Sequence, residues 1–470
     1  MRIVNAACAA LLSLACVALA QKEAPMPKDL PPYGPEKPLA APDVQALKLD
    51  NGLTVWLVSE PGFPQIALDL TARGGFAADP AGRPGISTLL ANTLAQGTAA
   101  RSAKQLAQEI QAAGGDLMVL PHADSIEMLT VVLSAKAQSA IAVFSDVAQH
   151  ASFPDAEIAL AKRNAADELK QQESTPRFLS TRATAQVLFG GHPYHVVAPT
   201  LASIDATTPA DLRAAFAQRF RPDQALLVVV GDFQTAPMLD LIRASFGAWP
   251  APAAAPPAPV AAPPAEVKHA IFIVPRPGSI QTTLQLAAFG PLRGDPDYAA
   301  AQVVNSFYGG QFGSRLTLNI REDKGYTYSP YTYLQPYRAA GTIVTHADVR
   351  NAVTGPTLNE TIYELNRLVT TTPTEQELTT AKRYLVGSEA IRLQVRSAVA
   401  RELAQDWIDG LPPGEIGIYG KAVASTTSAE ADAAARKYFP AAKTAIVAVG
   451  EEKVIRDALA PFGIPIETLQ

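Results

Sequence analysis

The chain has 470 residues, with 39 Lys and Arg against 44 Asp and Glu, six His and a formal charge of −5 at pH 7. That length allows roughly two to four domains at about 150 residues each, and 48% hydrophobic with 18% charged residues excludes a wholly disordered chain. The mild acidity excludes the broad basic footprint of sequence-independent nucleic-acid binding.

Arg2 precedes an apolar run from Ala6 to Ala20, which ends Ala18-Leu19-Ala20 before Gln21. One basic residue, an apolar stretch of about fifteen residues and small residues at the cleavage site predict a signal peptide over 1–20, cut after Ala20. The run is short for a membrane span, and Ser13, three residues before Cys16, argues against lipoprotein anchoring. The expected location is periplasmic or secreted, without a membrane span. Both cysteines, Cys8 and Cys16, lie in this segment, so the mature chain has no thiol for a disulfide or a thiolate metal site. Residues 21–42 are Pro-rich and aperiodic, and read as a flexible tether.

Periodicity begins after 43. β-Branched and alternating apolar residues predict strands over 52–59 and 65–72. Ile86, Leu89, Leu90 and Leu94 share one helical face, and 103–112 and 156–172 also read as amphipathic helices. Between these helices, strands are predicted over 117–119 and 126–133. Residues 250–266, PAPAAAPPAPVAAPPAE, have no hydrophobic period and predict a semi-rigid extended linker between 43–249 and 267–470. After the linker, strands are expected over 270–274 and 282–288.

The two parts are similar to each other. Phe220 followed by ALLVVVGD from Ala225 is matched by Phe439 followed by AIVAVGE from Ala445. Phe439 and Gly450 stand 219 positions after Phe220 and Gly231, and Pro277, Gly278 and Gln281 stand 216 after Pro61, Gly62 and Gln65. A drift of three positions is one loop indel. The expected fold class is α+β: two homologous domains, each a mainly antiparallel sheet with helices packed on it, joined by the Pro/Ala-rich linker.

Residues 85–98, GISTLLANTLAQGT, resemble one helix of the pitrilysin and mitochondrial-processing-peptidase group of zinc peptidases, the inverzincins. There the helix between such a Gly and such a Gly-Thr carries H-x-x-E-H: two imidazoles on one face hold zinc and the Glu activates water. The matching positions here are Thr88, Ala91 and Asn92. Thr and Asn are poor zinc ligands and Ala accepts no proton, so the motif is degenerate. Glu168 matches the family's third ligand, retained without partners, and by itself reads as a solvated helix residue.

Other histidines do not replace the motif. His192-Pro193-Tyr194-His195 has H-x-x-H spacing, but Pro193 prevents a regular helix and no acidic partner follows closely. His122 with Asp124 and His346 with Asp348, near strand edges, read as ordinary surface hydrogen bonding, and His150 and His269 are isolated. No metal is expected on this chain.

The second part holds a fuller signature: GGQFGSRL over 309–316, then NIREDKGYTYS over 319–329. It resembles the family's Gly-rich turn, Ser-Arg-Leu, a helix ending in Arg-Glu-x-x-Gly and a strand starting with Tyr. In the family an Arg and a Tyr seven residues later reach the active site across a domain or subunit boundary; by that spacing they are Arg321 and Tyr328. A guanidinium and a phenol O–H aimed at a scissile carbonyl bind substrate and stabilise the developing oxyanion. Read by themselves, the residues also fit structural roles. Arg321 can answer a helix dipole, and Tyr326, Tyr328, Tyr331, Tyr333 and Tyr337 can pack along a strand.

The resemblance spans 43–470. It implies the non-zinc-binding subunit of a heterodimer, inactive alone, supplying Arg321 and Tyr328 in trans to a homologous zinc-bearing subunit that hydrolyses peptides. The alternative is a catalytically inert peptide-binding or scaffold homologue of the same fold.

Overall fold

The computed structural model describes residues 38–264 and 266–469. The expected signal peptide and most of the tether lie outside the described residues. The first half is built on β1 (Gln45–Lys48), β2 (Thr54–Ser59), β3 (Gln65–Arg73), β4 (Met118–Pro121), β5 (Ser125–Leu133) and β6 (Ala225–Gly231), ordered β1-β2-β6-β3-β5-β4. The second uses β7 (Ile271–Pro275), β8 (Gln281–Gly290), β9 (Tyr331–Tyr337), β10 (Ala340–Arg350), β11 (Ala445–Gly450) and β12 (Ile466–Thr468), ordered β12-β7-β11-β8-β10-β9. In both, the strand arriving by a long crossover, β6 or β11, lies at the centre, antiparallel to β3 or β8 and parallel to β2 or β7, and β3 or β8 pairs antiparallel with β5 or β10 on its other side. The α+β class and the duplication read from the sequence are the organising features of the fold.

The repeat extends into details that spacing alone left implicit. Thr208 and Thr427 each cap a helix through a reciprocal box with Asp211 or Glu430, and Phe220 and Phe439 each close that helix ahead of the central strand. The outer strand breaks the symmetry: β1 opens the first half and runs antiparallel to β2, whereas β12 closes the second half and runs parallel to β7.

One face of each sheet packs on its own helices. In the first half Val55, Leu57, Leu68, Leu70, Leu227 and Val229 meet Leu89, Leu90, Leu94 and Phe144. The other face is covered by the opposite half. Val399, Ala400, Leu403 and Ala404 of helix Arg396–Ile408 lie on Trp56, Val58, Ala67, Leu226, Val228 and Val230. Reciprocally, helix Pro176–Phe189 lies on the second sheet, Ala183 against Phe272, Ala445, Val447 and Val449, and Leu188 with Phe189 against Ala287 and Val344. Burial on both faces is why β6 and β11 read as unbroken apolar runs. Residues 250–264 form no helix or strand and are strapped to the first half, where Ala254 O accepts from Arg221 Nη2 at 2.8 Å and Ala261 O meets His192 Nε2 at 2.8 Å. No helix among the described residues is long and apolar enough to cross a membrane.

Candidate functional site

Helix Ile86–Leu94 is anchored at its start. Gly85 takes φ of 80°, and a Cβ there would sit 2.2 Å from Pro199 Cα, so only glycine fits. The Asp79 carboxylate accepts from Gly85 N–H at 2.6 Å and from the Ser87 hydroxyl at 2.6 Å, and pairs with the buried Arg219 guanidinium at 2.9 Å. Burial raises Asp79, and Arg219 opposes that rise. The helix that carries zinc ligands in the resembled family is therefore rigidly seated here. Of the three positions that the resemblance aligns with the zinc motif, Thr88 is half-buried, Ala91 belongs to the core and Asn92 is exposed. Glu168, on the neighbouring helix Asp155–Glu173, is exposed and accepts only from Gln172 Nε2 at 3.1 Å. Among the described residues no group of three or more His, Cys, Asp and Glu side chains is arranged to hold a metal ion.

The remaining histidines have structural partners, and three expectations need correction. His122 does not pair with Asp124: its Nε2 lies 2.9 Å from Glu127 Oε2, while Asp124 accepts from Tyr194 O–H and Arg338 N–H, each at 2.9 Å. The β4–β5 turn faces the β9–β10 turn of the other half, which draws Asp124 away from its sequence neighbour. His346 does meet Asp348, at 3.1 Å, but not at the surface; it is buried beneath the Tyr331 ring, 4.8 Å between centroids. His150 and His269 are not isolated: His150 meets Asp146 at 3.1 Å and His269 meets Thr444 O at 2.7 Å. As expected from Pro193, the 193–195 stretch forms a single 3-10 turn.

The second signature adopts two π-helical turns, Ser306–Gly310 and Thr317–Asp323, with the Gly-rich turn between them. Such wide turns are rare and recur at functional sites. Arg321 stands in the last turn, and Gly325 then takes φ of 62° to redirect the chain toward β9. The strand begins at Tyr331, so Tyr331, Tyr333 and Tyr337 form the packed aromatic ladder, whereas Tyr328 precedes it and is 80% exposed. That difference separates Tyr328 from the packing role open to it in the sequence. The fold brings Arg321 and Tyr328 together: the guanidinium lies over the Tyr328 ring, 4.7 Å from its centroid, and over the Phe312 ring at 4.4 Å on. Its Nε pairs with Glu322 at 3.1 Å. Phe312 is the residue that sequence reasoning missed as a member of this group. Its signal was an apolar aromatic set among Gly309, Gly310 and Gly313, on a turn that exposes it by 64%. Chemically the cluster offers an oriented donor fork beside an exposed phenol.

Residues 54–194 match a family described as Insulinase (Peptidase family M16), and residues 206–385 match one described as Peptidase M16 inactive domain. The two matches together span well over half of the chain, and the chain belongs to peptidase family M16. It is 26% identical over 349 residues to the uncharacterized zinc protease YmxG of Bacillus subtilis, covering 73% of this chain and 83% of that protein. An uncharacterized zinc protease of Rickettsia felis is 24% identical over 379 residues, covering 78% and 89%. The crystal structure of a peptidase M16 inactive domain from Pseudomonas fluorescens superposes with a TM-score of 0.82 at 26% identity, over 91% of this chain and 100% of that one. A protease from Helicobacter pylori shares the fold, with a TM-score of 0.82 at 18% identity over 87% and 100%. Both parts of the family are thus matched, the second by the domain described as inactive.

Proposed function

We propose that this chain is the non-zinc-binding subunit of an exported heterodimeric zinc metallopeptidase. Arg321 and Tyr328 would complete, in trans, the active site of a homologous subunit that holds the zinc. The observation that carries this reading is the stacked, exposed Arg321–Tyr328 pair on a chain whose zinc-site positions are Thr88, Ala91 and Asn92. A scaffold has no use for an exposed oriented pair, whereas a peptide carbonyl gaining negative charge needs such donors. The partner's zinc would polarise the attacking water; this chain's residues hold and orient the peptide.

The purified chain is expected to contain no stoichiometric zinc and to cleave no peptide. With its partner it activates hydrolysis, and Arg321→Ala or Tyr328→Phe lowers the complex's kcat by about a hundredfold or more. Full chelator-sensitive activity of the isolated chain would overturn the proposal. Export through the signal over 1–20 is part of the reading, and N-terminal sequencing of the mature protein should begin at Gln21.

A second reading, an inert peptide-binding homologue, is favoured by the match of 206–385 to the inactive-type domain. Activity of the complex that survives loss of both side chains would select it.

A further inference from the structure

We propose that the Arg321 cluster is a carboxylate site, through which this chain binds peptides by a carboxylate seated on the free edge of the guanidinium. The inference rests on reading Arg321 and Tyr328 as substrate contacts and specifies what they accept.

Three directions of approach to the guanidinium are closed. Phe312 covers one region of its flat surface at 4.4 Å and Tyr328 another at 4.7 Å. Glu322 occupies Nε at 3.1 Å, and its negative charge repels an anion from that side. No hydrogen bond among the described residues engages Nη1 or Nη2. What remains is the in-plane Nη edge. Two parallel N–H donors there match the two oxygens of a carboxylate better than the single oxygen of an amide. The rings also fix the plane of a long side chain, so less rotamer freedom is lost on binding. Glu322 offsets part of the charge, so a free small anion binds weakly and the peptide's other contacts are needed.

A peptide can bring this group as its own C-terminus, which hydrolysis of a peptide bond also creates, or as an Asp or Glu side chain. The chemistry is shared, and the experiment distinguishes the sources. Fluorescence anisotropy on the full mature chain would compare three labelled peptides of one neutral sequence: the C-terminal acid, the C-terminal amide, and the amide with one internal Glu. At least one carboxylate-bearing peptide should bind about tenfold tighter than the neutral amide, the scale of a charge-assisted bidentate contact. Which one does so identifies the source. Arg321→Gln should erase that ratio. Arg321→Lys, which keeps charge without the fork, should retain only part of it, and Phe312→Leu should lower it. All these residues are at least partly exposed, and matching thermal melts would establish that the variants fold.

Equal binding of all three peptides to the wild type, with Arg321→Gln weakening all of them, overturns the carboxylate site and leaves the substrate-contact reading standing. Binding that Arg321→Gln leaves unchanged for every peptide, or no binding to the wild type, overturns the carboxylate site, and the substrate-contact reading then stands or falls on the kcat of the Arg321→Ala complex.

Discussion

Asp406 is a buried carboxyl whose ionisation the fold opposes. It sits on helix Arg396–Ile408, which covers the first sheet, with both carboxylate oxygens buried and, among the described residues, without a hydrogen-bond partner, 3.7 Å from Arg293. Burial, reinforced by the Glu402 carboxylate and opposed by Arg293, pushes it up to about 8, and burial lifts the nearby Asp409 to about 6. A carboxyl raised in the folded state holds a proton that the unfolded chain, titrating at about 4, has already released. Its stabilising effect is complete below that lower value and disappears as pH rises toward the folded one. Thermal melts should therefore show a Tm that declines from about pH 4 to about pH 8. Asp406→Asn should flatten the upper part of that decline, and an unchanged slope would assign it to other groups. Arg293 stays charged throughout, held between the Tyr298 and Tyr419 rings at 4.9 and 4.5 Å and facing Glu415 at 3.2 Å.

At the scale of elements, two features decide how the site is presented. The π-helical turns around Arg321 widen the backbone locally, and the chain then loops before β9, so Tyr328 stands outside the sheet that its tyrosine neighbours join. The exchanged helices hold the halves together. Leu403 is fully buried at the centre of the contact between helix Arg396–Ile408 and the first sheet. Leu403→Ala removes its methyl groups and leaves a cavity, so it should cost about 2–5 kcal/mol in denaturant unfolding. A loss under about 1 kcal/mol would mean that the helix seats loosely. The strands over 52–59, 65–72 and 126–133 and the helices over 86–94, 103–112 and 156–172 were legible because period two and period 3.6 are local signals, whereas the helices that cover the opposite half, Pro176–Phe189 and Arg396–Ile408, were not read from the sequence. The edge strands β1 and β12, four and three residues long, were not read either, being too short to show a period.

Across the whole molecule, the linker joins two halves that are already interlocked. Each half buries a helix of the other, Asp124 takes Arg338 N–H, and Tyr194 O–H receives Ala339 N–H at 3.0 Å across the same junction. Proteolytic nicking between 250 and 264 should leave the fragments eluting as one species in size exclusion, separating only in denaturant. Separation in buffer would show that the covalent linker, not the exchange, holds the halves.

Residue identity and spacing sufficed for the duplication, for reading Thr88, Ala91 and Asn92 where the resemblance expects zinc-site residues, and for the distance between Arg321 and Tyr328 along the chain. Each of these is a property of the string itself. Tertiary structure alone decided that the outer face of each sheet is covered by the opposite half, that His122 answers Glu127 and not Asp124, and that Phe312 shares the Arg321 guanidinium with Tyr328. An apolar period shows that a face must be buried but not which surface buries it. A polar side chain, likewise, takes whichever partner packing brings within hydrogen-bonding reach, however far away that partner lies in sequence.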